Sequence, residues 1–213
     1  MQRRGFLGYC GATLAAGIGS GAIASAARAN TDEANMGPLA DYLLLGTEGA
    51  WTGSYAQGFY LLRNPTGFNN TMLFTALPPL GVTLQKVSID VHPVGSAAYT
   101  GAGLVLNRET AGGAFLAVML QPNRHLGIYV YDPEDGIGRL TEMPAAGLRD
   151  DVVTRLSLEN SDAGIDILTN GEKSGHFSDI KLKGAAGAIA TDLGDYYFVN
   201  FVMDGSKLIP APN

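Results

Sequence analysis

From Trp51 onward the apolar residues of this chain come in short runs with a period of two, and no stretch carries the i, i+3, i+4, i+7 spacing of a helix. Leu84–Val94 shows the pattern best. Val87, Ile89 and Val91 fall on one side, while Ser88, Asp90 and His92 fall on the other. Gly, Pro, Asn and Asp punctuate these runs, which is the grammar of strands and turns. The expected strands are 71–77, 84–94, 103–108, 114–121, 125–132, 152–160, 164–169, 187–191 and 196–204. Asn170-Gly171 is the strongest hairpin turn, since both residues tolerate a positive φ. Strands in this number, without a 20–50-residue repeat, predict an all-β chain built as a two-sheet antiparallel β-sandwich, neither propeller nor solenoid.

Residues 1–29 follow other rules. Arg3 and Arg4 precede a small, apolar run that ends in Ala27-Arg28-Ala29, which suits a signal peptidase. Arg3-Arg4-Gly5-Phe6-Leu7 resembles the twin-arginine export signal of bacteria, although Gln2 and Gly8 depart from that pattern. The expected organisation is an export signal over 1–29, a lead-in over 30–50 with a short helix near Pro38–Leu45, and one domain over 51–213. The expected location is the bacterial periplasm or the outside of the cell. No membrane span is expected in the mature chain.

Cleavage after Ala29 would remove three arginines and no acid, leaving 11 basic against 20 acidic residues, a charge of −9. An acidic chain of this kind lacks the basic face that grips phosphates, so nucleic acid is excluded as a partner. The single Cys, Cys10, leaves with the signal, so the mature chain has no disulfide and must rely on its core. With 46% hydrophobic and 16% charged residues in the 213, it has the material for one.

Five segments in order carry a resemblance: Ala102–Arg108, the hairpin ending Leu126-Gly127-Ile128-Tyr129, Thr154–Leu158, Ile165–Glu172, and Gly184–Ala190 with Tyr196–Phe201. Over roughly residues 70–205 they resemble the concanavalin A-like lectin/glucanase jelly roll, laminin G-like domains included. They are also similar to bacterial 3-keto-disaccharide hydrolase-like domains. The resemblance implies the sandwich fold. Family-16 glycoside hydrolases on this fold carry E-x-D-x-x-E or E-x-D-x-E, and no such string occurs here. The catalytic residues are therefore left unassigned.

Other chemistry is sparse. His92, His125 and His176 have no metal spacing, and no G-x-S-x-G occurs. No cofactor is expected. Asp132-Pro133-Glu134-Asp135-Gly136 and the pair Asp192 and Asp195 offer oxygens to Ca²⁺, which concanavalin-like domains often bind. Gly136 breaks the EF-hand spacing, and turn chemistry accounts better for both.

The hairpin 114–132 is more informative. Leu116, Val118, Leu120, Leu126, Ile128 and Val130 belong on the core side. The other side carries Phe115, Ala117, Met119 and Gln121 opposite His125, Tyr129 and Tyr131, where Lys, Glu and Thr would ordinarily stand. Aromatic rings on an open sheet face stack on sugar rings, and amides or guanidinium groups fix hydroxyls. The candidate ligand set is Tyr129, Tyr131, His125, Arg108, Asn107 and Tyr99. The alternative is that residues 30–60 or a long loop cover this face as extra core. The expected function is an exported domain that binds carbohydrate or another envelope ligand. The alternatives are a glycosidase-like hydrolase and a structural or adhesive envelope protein.

Overall fold

The computed structural model describes residues 34–66, 71–95, 100–108, 113–148 and 153–207, and for 107, 108 and 207 the backbone only. The signal segment and its cleavage point at Asn30 lie outside the described residues.

Two antiparallel sheets face each other. The eight-stranded sheet runs β1 (Gly46–Glu48), β2 (Trp51–Ala56), β3 (Phe59–Asn64), β14 (Gly194–Lys207), β5 (Val82–Val94), β10 (Thr154–Ser161), β11 (Gly164–Thr169) and β12 (Glu172–Ser178). The six-stranded sheet runs β4 (Thr71–Ala76), β13 (Ala185–Thr191), β6 (Gly101–Arg108), β7 (Phe115–Leu120), β8 (His125–Asp132) and β9 (Gly136–Pro144). The chain passes between the sheets six times, as a sandwich closed by non-sequential pairing requires.

Alternation does what the period of two dictates. Val87, Ile89, Leu116, Val118, Leu126, Ile128, Leu156 and Leu158 all turn inward and are buried. Tyr60, Tyr196, Phe198 and Phe201 complete the filling, each with almost no exposed surface. Two of these rings carry hydroxyls, and both find carbonyl partners. Tyr60 donates to Leu44 at 2.9 Å, and the Tyr196 hydroxyl is shared between Thr191 and Asp192. Burial pushes both phenols up, far from ionisation.

The lead-in is part of this core. Its expected helix is a 3-10 turn over Gly37–Tyr42, with Pro38 at its start, and Ala34, Met36, Leu39 and Leu43 are buried among the sheet residues. On the outer face of the eight-stranded sheet, ion pairs occupy the polar positions. Arg155 grips Asp90 through two bonds of 2.6 and 2.9 Å, and Arg63 grips Asp195 through 2.7 and 2.8 Å. No helix among the described residues is long and apolar enough to cross a membrane.

Candidate ligand-binding face

The outer face of the six-stranded sheet holds a second apolar cluster, separate from the inter-sheet core. It is made of Val105, Phe115, Ala117, Met119, Tyr129 and Ile189, with Leu73, Tyr131 and Ile137 at its margin. None of residues 34–60 belongs to it. The described part of the lead-in lies between the sheets instead, or joins the eight-stranded sheet.

The hairpin of β7 and β8 sets the layout. Phe115 pairs with Tyr131, Ala117 with Tyr129 and Met119 with Gly127. On the outer side β9 continues these rows, placing Ile137 beside Tyr131, Arg139 beside Tyr129 and Glu142 beside Gly127. The register slips by one residue between Ile128 and Tyr129, and that bulge brings both Arg139 and Glu142 to the outer face.

Phe115 and Tyr131 stack nearly parallel, with centroids 4.9 Å apart and planes at 15°. Tyr129 lies differently. A Cβ built on Gly127 would come within 2.5 Å of Tyr129 Cε2 and 2.8 Å of its hydroxyl, so the ring lies back along its own strand over the glycine. Gln121 Nε2 donates to that hydroxyl at 3.1 Å, and the ring is 6% exposed. Gln121 is itself buried, and its Oε1 has no partner among the described residues.

Beside these rings stands a polar group of four. Glu142 Oε1 accepts from His125 Nδ1 at 2.7 Å and from Asn123 Nδ2 at 3.2 Å, and its Oε2 accepts from Arg139 Nη1 at 2.5 Å. The His125 hydrogen bond, then that from Asn123, holds the Glu142 carboxyl below the usual carboxylate range, with the Arg139 charge adding to it. The side chains of His125 and Arg139 are each 42% exposed. Chemically the arrangement is an apolar ring platform edged by directed donors and acceptors. Glu142 is the one acid among the described residues at the outward positions of these six strands.

Of the residues singled out from sequence, His125, Tyr129 and Tyr131 share this face. Tyr131 is partly buried, and Tyr129 is covered rather than open. Asn107 and Arg108 end β6, Arg108 opposite Ala185 through the backbone, and their side chains lie outside the described residues. Tyr99 also lies outside them. Glu142, Arg139 and Asn123 were missed. Arg139 and Glu142 sit three apart just after the Asp132–Gly136 turn, and a third strand placed there would have drawn both beside His125.

The oxygens considered for Ca²⁺ are engaged locally. Asp132 Oδ1 accepts from Glu134 N at 2.8 Å, Asp192 Oδ1 accepts from Leu193 N at 2.8 Å, and Asp195 holds Arg63. Among the described residues no group of three or more His, Cys, Asp or Glu is placed to hold a metal ion.

No protein-family model and no curated protein sequence matches the chain. Solved structures do. The carbohydrate-binding module CBM66 of Bacillus subtilis superposes with a TM-score of 0.53 at 11% identity, over 73% of this chain and 96% of that one. A Bacillus subtilis protein of unknown function with a galectin-like fold gives 0.52 at 11% identity, over 75% and 88%. With its two sheets, its strand order and these likenesses, the chain is in fold a concanavalin A-like jelly-roll sandwich.

Proposed function

We propose that this domain binds carbohydrate along the outer face of the six-stranded sheet, between the Phe115–Tyr131 stack at one end of β8 and the group of His125, Glu142 and Arg139 toward the other. The observation that carries this reading is the pairing of an aromatic stack with a half-exposed, directed polar group on one sheet face. A sugar presents apolar C–H faces and hydroxyls that both donate and accept, and it needs both kinds of surface at once. CBM66, which shares the fold, is named as a carbohydrate-binding module, and that name lends the reading support.

A binding role fits this face better than glycoside hydrolysis. That chemistry uses two carboxyl groups roughly 5–10 Å apart, and Glu142 has no acidic companion among the described outward positions. The acid is also held by three donors, which suits a fixed scaffold more than a proton shuttle. Residues 1–29 are read as an export signal, which would place the domain where envelope or extracellular glycans are met. N-terminal mass mapping of exported protein should give Asn30, and retention of Arg3 would sink that part.

A glycan array probed with the protein tests the function. Binding should appear on it and drop at least tenfold, a difference of about 1.4 kcal/mol, in Tyr131→Ala and Glu142→Gln. Both variants should keep the β-sheet circular dichroism of the parent. Retained binding in both would move the site elsewhere.

A further inference from the structure

Much of the outer face of the six-stranded sheet has no surface left to offer a ligand. Val105, Ala117 and Ile189 are fully buried, Met119 nearly so, and Phe115 and Tyr129 are buried as well. They stand on β6, β7, β8 and β13, so a ligand laid across the strands would rest on side chains already covered. What stays open runs with the strands instead, along β8 and β9. Tyr131 and Ile137 are partly exposed at one end, Arg139 is exposed beside Tyr129, and His125, Glu142 and Asn123 follow toward the other end. β9 is the outermost strand on that side of the sheet. Midway, the bulge leaves Leu140 without a register partner, and its side chain is 64% exposed.

Tyr131 and His125 lie six residues apart on β8, which at roughly 3.3 Å per residue is about 20 Å, the length of about four pyranose units in an extended chain. We infer that the ligand is a linear sugar chain held lengthwise on this margin, parallel to β8 and β9, and read over about four units rather than by one terminal sugar. The inference rests on the carbohydrate-binding reading and names the substrate class of that same site. One unit can set its C–H face on Tyr131, and the next meets the apolar Leu140 side chain. Hydroxyls of the following units meet Arg139, which spends one of its five N–H donors on Glu142, and then His125 and Asn123. A single sugar covers only one of these places, so affinity has to grow with chain length until the margin is filled.

Titration calorimetry with glucose, mannose and fructose oligomers, from monosaccharide to hexasaccharide, reads that length. In the series that binds, affinity should rise at least roughly tenfold from disaccharide to tetrasaccharide and change less than about twofold beyond it. Leu140→Ser should weaken tetrasaccharide binding by about fivefold while the melting temperature stays where it is. Thr75→Arg sets a long side chain on the outward side of β4, at the opposite margin of the sheet. It should keep both the parent's circular dichroism and its tetrasaccharide affinity. A monosaccharide bound as tightly as the tetrasaccharide would overturn this inference and leave the carbohydrate reading standing. So would a folded Thr75→Arg that loses binding while Leu140→Ser keeps it, because the chain would then lie across the strands. No oligomer bound at any length would overturn both.

Discussion

At position 127 a hydrogen stands where any other residue would carry a carbon, and the Tyr129 ring occupies the room this leaves. Gly127→Ala would put a methyl 2.5 Å from that ring. The ring has to swing away from the strand, which breaks its bond to Gln121. The expected cost is about 1–3 kcal/mol of stability, read by chemical denaturation, together with weaker ligand binding. Tyr129→Phe is a gentler probe of the same place. It removes only the hydroxyl, taking the one described partner from the buried Gln121 amide, and should cost roughly 1–3 kcal/mol. The sequence shows that Tyr129 shares a side with His125 and Tyr131, because strand parity alone decides that. It does not show that the ring folds back over a glycine, since the rotamer depends on neighbours across the sheet.

Among the elements, the legible ones are those that bury one clean face. β5, β7, β8, β10 and β11 alternate in sequence and stand within two or three residues of where alternation puts them. Three kinds of strand escape that logic. β1 to β3 are broken up by glycines, β12 is a polar edge strand reading Glu-Lys-Ser-Gly-His-Phe-Ser, and β9 carries a bulge that cancels its period. The missed β9 is the reason Glu142 and Arg139 went unseen.

The turn between β11 and β12 behaves as its sequence requires, with Asn170 at φ 52° and Gly171 at φ 84°. Asn170 also accepts from Arg155 N and donates to the Gly147 carbonyl, each at 2.9 Å, so one side chain pins two neighbouring segments. Gly171→Val places a β-branched residue in the left-handed region and should lower stability by about 1–3 kcal/mol. An unchanged melting temperature would show that this hairpin can refold its turn at no cost.

For the molecule as a whole, stability rests on the inter-sheet filling, and Leu126, with no exposed surface, is a fair gauge of it. Leu126→Ala should cost about 2–5 kcal/mol by chemical denaturation. Acid acts through different groups. Glu142 and Asp166 both have carboxyls held below their ordinary range, Glu142 first by His125 and Asp166 first by Lys173 and then His176. A group lowered in this way contributes in full above its unfolded value, about 4.3 for Glu and 3.9 for Asp, and the contribution fades as pH falls through the lower folded value. The melting temperature should therefore hold above about pH 5 and decline below about pH 4, less steeply in a Glu142→Gln, Asp166→Asn double variant.

The placement of β14 reaches beyond energetics. The last described strand sits in the interior of the larger sheet, bonded to β3 on one side and to β5 on the other. A ribosome delivers those residues after the thirteen other described strands, so a nascent chain that ends before Gly194 leaves the edges of β3 and β5 open with nothing between them. Assembly of the sandwich has to wait for β14, and chaperones have that interval to cover. A stop codon placed just before Gly194 should therefore give insoluble product.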